Sequence, residues 1–86
     1  MENFNIRIYG TDWCGDCQRV KKFFKEHQIF FEWIDIDHDT EAEQLVIKTN
    51  HGNRSVPTIF LPDGNILVEP SQAVLKEKIL DRYKGM

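Results

Sequence analysis

Asn5-Ile6-Arg7-Ile8-Tyr9-Gly10-Thr11-Asp12-Trp13-Cys14-Gly15-Asp16-Cys17 is the stretch on which the fold turns. Its first five residues alternate and carry β-branched side chains, which predicts a strand ended by Gly10. Beyond the cysteines, Cys17, Val20 and Phe24, with Phe23 and His27 beside them, recur at three- and four-residue spacing. That period predicts a helix from about Gly15 to Gln28, with Lys21, Lys22, Lys25 and Glu26 on its other face. The two cysteines therefore fall where a strand gives way to a helix.

Working outward, Ile29 to Ile36 is aromatic and β-branched and reads as a second strand. Strand, helix, strand in this order is a βαβ unit, whose right-handed crossover makes the two strands parallel. A second helix is expected over Thr40 to Thr49. There Thr40 and Glu43 fit a capping box, Ala42, Leu45, Val46 and Thr49 make the apolar face, and Gly52 is the stop. Val56 to Leu61 reads as a third strand, Pro62-Asp63-Gly64-Asn65 as a turn, and Ile66 to Val68 as a fourth strand closing an antiparallel hairpin. Ser71 can cap a last helix of Gln72 to Tyr83, with Val74, Leu75, Ile79 and Tyr83 facing inward. The order β-α-β-α-β-β-α predicts an α/β fold, a central sheet with helices on both faces.

The remaining composition narrows the function. A chain of 86 residues is expected to form one domain over residues 1–86. Lys plus Arg number 11 against 14 Asp plus Glu, a net charge of −3 that argues against nucleic-acid binding. No continuous apolar run exceeds three residues, as in Ile66-Leu67-Val68, so no membrane span is expected. Met1-Glu2-Asn3-Phe4-Asn5 has no basic region, apolar core or small-residue cleavage site, so a cytoplasmic, reducing compartment is the expectation. A structural disulfide would not persist there. The two cysteines are thus left with redox chemistry or metal ligation. His27, His38 and His51 lie ten or more residues from Cys17 and from each other, which fits no zinc pattern. Asp35, Asp37 and Asp39 imitate the opening of a calcium loop, but Thr40 and Val46 then occupy the positions that need Gly and Glu. No metal site is expected.

Disulfide exchange needs a thiolate, and a free thiol with a pKa of about 8.5 supplies only a few per cent of it at neutral pH. Unpaired N–H groups and the macrodipole at a helix start favour an anion. Cys14 at that start is therefore the expected attacking thiol. Cys17, one turn inward on the buried face, is the expected resolving thiol. Gly15 leaves room for a substrate backbone and Trp13 offers an apolar wall. Asp16 suits a helix start but opposes a thiolate about 8 Å away by on the order of 1 kcal/mol.

Trp13-Cys14-Gly15-Asp16-Cys17 after a first strand, with Ser55-Val56-Pro57-Thr58 before a third, resembles the glutaredoxin branch of the thioredoxin superfamily. Within that branch Trp33-Ile34-Asp35-Ile36-Asp37, Asn50 to Pro57, Pro62-Asp63-Gly64 and Glu69-Pro70-Ser71 look like the mycoredoxins and related bacterial glutaredoxin-like proteins. The resemblance implies a thioredoxin-like fold with a four-stranded mixed sheet of order 2-1-3-4. It also implies a cis bond before Pro57, held against the cysteines, and pairing of the Val56 backbone with substrate. The activity implied is disulfide oxidoreduction on protein or small-thiol mixed disulfides, through a Cys14/Cys17 dithiol. Glutathione, mycothiol or an NADPH-dependent flavoprotein reductase would be the electron source, with no resident cofactor and the chain a monomer.

Two departures stand out. The Gly-Gly pair and Asp of glutathione-using members are replaced by Val68-Glu69-Pro70-Ser71-Gln72, and the first strand lacks the buried carboxylate of thioredoxins. Arg54, Lys21 and Gln18 are candidate contacts for a carboxylate-bearing thiol. The resemblance also admits an iron–sulfur carrier built from two chains, or a dedicated electron donor to ribonucleotide reductase.

Overall fold

The computed structural model describes residues 6–83. The elements are β1 (Arg7–Gly10), α1 (Gly15–Glu26), β2 (Glu32–Asp35), α2 (Thr40–Thr49), β3 (Thr58–Phe60) and β4 (Ile66–Val68). One helical rod follows, made of α3 (Gln72–Leu75), a π-helical segment (Lys76–Leu80) and α4 (Asp81–Tyr83). The sheet order is β2-β1-β3-β4, with β1 parallel to β2 and antiparallel to β3, and β3 antiparallel to β4. This is the expected thioredoxin-like topology. Met1 to Asn5, including the expected start of the first strand and the leader-free reading of that end, lie outside the described residues, as do Lys84 to Met86.

Alternation along β1 sends its side chains to two separate apolar layers. Ile6 and Ile8 join Val20, Phe23 and Phe24 of α1, Ile59 and Leu61, and Leu75, Ile79 and Tyr83 of the terminal rod. Tyr9 points the other way and joins Ile36, Ala42 and Val46. Helices therefore cover both faces. Burying a side chain such as Phe24, which is wholly enclosed, stabilises the fold by about 1.5–3 kcal/mol.

Several boundaries differ from the sequence reading. Helix α1 stops at Glu26 because Gln28 adopts a left-handed φ of 57°, and the Ile29 N–H closes the helix end on the Phe24 carbonyl at 2.9 Å. Ile29 is spent on that closure and Phe30 is 84 % exposed, so β2 starts only at Glu32, not at Ile29. β3 starts at Thr58, not Val56, since Pro57 has no N–H to give to a ladder. The cap of α2 is Asp39, not Thr40: its carboxylate accepts the Ala42 N–H at 3.0 Å. Leu45, expected on the apolar face of α2, is exposed. Gly52 does end α2, with φ at +99° and its N–H bonded to the Ile47 carbonyl at 2.8 Å. Gly64 turns the hairpin at φ +94°, and the Ser71 hydroxyl accepts the Val74 N–H at 3.2 Å.

Candidate active site

The chain leaves β1 at Gly10 and enters α1 at Gly15, so the cysteine motif occupies one strand-to-helix turn. Cys14 is the N-cap of α1, with extended backbone (φ −83°, ψ 121°), and its sulfur accepts the Cys17 N–H at 3.3 Å. A sulfur in the place of a capping oxygen meets an orphan amide and the positive end of the macrodipole together. Cys14 is half-buried, Cys17 fully buried, and both are free thiols.

Burial is the main reason the Cys17 thiol is pushed up to about 12. A backbone hydrogen bond from Thr11 works against it, while Cys14 and Asp16 add to it. The pair is thus chemically unequal. One sulfur is half-exposed on the helix cap and accepts one amide hydrogen bond; burial keeps the proton on the other.

Gly10 makes this arrangement possible by its size. A Cβ there would stand 2.5 Å from the Cys17 sulfur and 2.7 Å from the Trp33 ring. Trp33 lies on the other side of that space and carries the Lys21 ammonium 4.0 Å from its ring centroid. Thr11 next door is fully buried, and its hydroxyl has no hydrogen-bond partner among the described residues.

On the opposite wall the Val56–Pro57 peptide is cis. Tyr9 pairs with Thr58, so the register continued by one step sets Pro57 across from Gly10, whose space the Cys17 sulfur shares. Thr58 is fixed in turn. Its hydroxyl donates to the Ser55 carbonyl at 2.8 Å and accepts from Asn50 at 3.1 Å. Val56 packs against the Tyr9 layer.

Trp13 is 70 % exposed. Its indole N–H donates to Asp37 Oδ2 at 2.8 Å, and Arg54 Nη2 donates to Asp37 Oδ1 at 2.6 Å. The Arg54 Nε donates to Glu43 Oε2 at 2.5 Å. The Arg54 guanidinium first, and the Trp13 indole second, hold the Asp37 carboxyl below the usual carboxylate range. Arg54, singled out for a substrate carboxylate, is therefore already occupied by two carboxylates. Asp16 is exposed and faces Arg19 at 3.6 Å, while Arg19 also donates to Gln72 and to the Pro70 carbonyl, both at 2.8 Å. Gln18 donates to the Asp12 carbonyl at 2.9 Å and, with Lys21, lines a groove on α1. Among the described residues, its chain neighbours and own helix backbone aside, Gly15 has nothing within 4 Å of where a side chain would start.

Cys14, Cys17, Trp13, Gly15 and Asp16 thus share one turn, while the register carries Pro57 across from Gly10 and Val56 packs with the Tyr9 layer. Sequence reading missed Gly10, Thr11, Asp37 and Glu43. Gly10 showed in the sequence only as a strand stop, which says nothing of the space it leaves. Asp37 and Glu43 gave no signal, because their partners lie 24, 17 and 11 residues away. Among the described residues no group of three or more His, Cys, Asp or Glu gathers as metal ligands, and no helix is long and apolar enough to cross a membrane.

Comparison with known proteins agrees with this geometry. The family model described as Glutaredoxin matches residues 6–67. Mycoredoxin 1 of Corynebacterium glutamicum is 39% identical over 75 residues, covering 87% of this chain and 92% of that protein. Among solved structures, the glutaredoxin of Archaeoglobus fulgidus superposes with a TM-score of 0.69 at 28% identity, over 90% of this chain and 94% of that one. The thioredoxin-like protein BC3987 gives a TM-score of 0.74 at 25% identity, over 84% and 90%.

Proposed function

The chain belongs to the glutaredoxin family, and from that premise we propose that it reduces protein disulfides and small-thiol mixed disulfides with Cys14 as nucleophile and Cys17 as resolving thiol. The observation that carries the reading is the inequality of the two sulfurs. Cys14 is half-exposed on the helix cap and Cys17 is wholly buried one turn inward.

In the first step the Cys14 thiolate attacks one sulfur of R–S–S–R′. The Cys14–S–S–R bond forms, the S–S bond of the substrate breaks, and R′S⁻ leaves and takes up a proton. In the second, Cys17 gives up its proton and its sulfur attacks the Cys14 sulfur. RS⁻ departs with a proton and a Cys14–Cys17 disulfide remains. Two electrons have passed from the dithiol to the substrate.

Order follows from electrostatics. Besides burial, the neighbouring Cys14 sulfur raises the Cys17 thiol. Once Cys14 is tied up as a neutral mixed disulfide that contribution lapses, so Cys17 becomes easier to ionise when its attack is due.

A low-molecular-weight thiol then restores the dithiol. Arg54 already gives its Nε to Glu43 and its Nη2 to Asp37, and Arg19 donates to Gln72 and Pro70 and faces Asp16. A carboxylate of glutathione would have to compete at both with these protein partners. Mycothiol, which carries sugar hydroxyls and no carboxylate, fits this surface better. We place the chain in a reducing compartment, where the pair rests as a dithiol.

Cysteine variants test the assignment. Cys17→Ser is expected to accumulate mixed disulfides through Cys14, seen by mass spectrometry, and Cys14→Ser to abolish turnover. Full activity in Cys14→Ser would refute the roles. Reduction of the oxidised protein by mycothiol, by glutathione, and by thioredoxin reductase with NADPH tests the electron source; equal rates with the two small thiols would remove the carboxylate argument.

A further inference from the structure

Trp13 is 70 % exposed, and a side chain that exposed ordinarily keeps its rotamer freedom. Here both carboxylate oxygens of Asp37 are committed, Oδ2 to the Trp13 indole and Oδ1 to Arg54. The anchor is itself fixed. The Asp37 N–H donates to Asp35 Oδ1 at 2.9 Å, and Arg54 is gripped by Glu43 on α2. Arg54 also stands in the segment that leads into the cis Pro57. Asp37 therefore joins the cysteine turn to the segment that leads into Pro57, across separations of 24 and 17 residues.

We propose that Asp37 is a positioning residue for substrate, holding the Trp13 ring beside Cys14 as a preformed apolar wall and held in turn by Arg54 and Glu43. The inference rests on the dithiol reading above and adds to it the group that shapes the groove. A purely stabilising role accounts poorly for this chain of contacts. Exposed and half-exposed ion pairs contribute little to folding, and Trp13 lies in neither apolar layer. A wall fixed beforehand spares the substrate the cost of ordering it. Ordering one such side chain on binding weakens affinity by roughly two- to tenfold.

A double-mutant cycle tests this, with insulin as the protein-disulfide probe and Asp37→Ala, Trp13→Phe and the combined variant compared with wild type. Asp37→Ala should raise KM by roughly two- to tenfold while kcat stays within about twofold. In the Trp13→Phe background the same substitution should add nothing further to KM. In parallel, the Trp13 indole N–H resonance should move and exchange faster with solvent in Asp37→Ala. Additive effects on KM, or a loss confined to kcat, would overturn the proposal. Wild type failing to reduce insulin would count against the dithiol reading alone. The indole resonance would then decide about Asp37 by itself, an unmoved signal refuting the tether and a shifted one supporting it.

Discussion

Gly10 shows how much one absent methyl group can arrange. Its role is spatial, because the Cys17 sulfur and the edge of the Trp33 ring converge on the place where a Cβ would be. Neither neighbour can retreat easily: Cys17 sits in a fully buried turn of α1, and Trp33 is packed against the larger apolar layer under Lys21. Gly10→Ala is expected to cost about 1–3 kcal/mol through overpacking. Urea denaturation of the reduced protein would measure it, and an unshifted midpoint would mean that the sulfur and the indole yield freely. The same residue marks a limit of sequence reading. The cysteine pair was legible from its spacing and its place before a helical period. The space under it was not, since a glycine at a strand end reads as a stop whether or not anything leans on it.

Among the elements, type and order could be read from the chain, while the ends were decided by single hydrogen bonds. The α2 cap illustrates this. Thr40 with Glu43 satisfies a capping pattern, yet Asp39 one residue earlier offers a charged acceptor to the same helix start and takes the Ala42 N–H. Glu43 is drawn away to Arg54. Asp39→Ala is therefore expected to destabilise the fold by about 1 kcal/mol, and Thr40→Ala by less than about 0.5 kcal/mol. Thermal melts of the two variants side by side decide between the caps; equal losses would restore Thr40. The shortening of β2 has a comparable cause, the left-handed Gln28 that no glycine announced. In the terminal rod the π turn at Lys76–Leu80 shifts the helical phase, yet Leu75, Ile79 and Tyr83 all stay buried as the four-residue spacing required. What escaped the sequence at this scale are contacts between distant elements, above all the grip of Arg54 on Asp37 and Glu43.

For the molecule as a whole, the buried thiol links pH to stability. Burial, which disfavours its charge, pushes the Cys17 thiol up to about 12 in the fold, well above the ordinary thiol range. The folded state therefore holds its proton more firmly than the unfolded one. Its contribution to stability is complete below about pH 9 and drains away as pH rises from about 9 toward about 12. Tyr83, also raised by burial, acts with the same sign at higher pH. Reduced wild type should thus lose stability between about pH 8 and about pH 10 more steeply than Cys17→Ala, as read from urea midpoints. Parallel slopes would show that the thiol is not protected by the fold.

The layered plan that creates this burial was legible from alternation in β1 and helical periods in α1 and the terminal rod. Its outer margins carry a further consequence. β4 offers only the backbone of Ile66 to Val68 on its free side, between Pro62 and Pro70, and β2 opposite presents the charged Glu32 and Asp35. A neighbouring molecule seeking to extend the sheet meets proline stops on one flank and charged, hydrated side chains on the other. Growth into fibrils by strand addition is thereby discouraged at both flanks, although Ile66 and Val68 leave two greasy side chains in water.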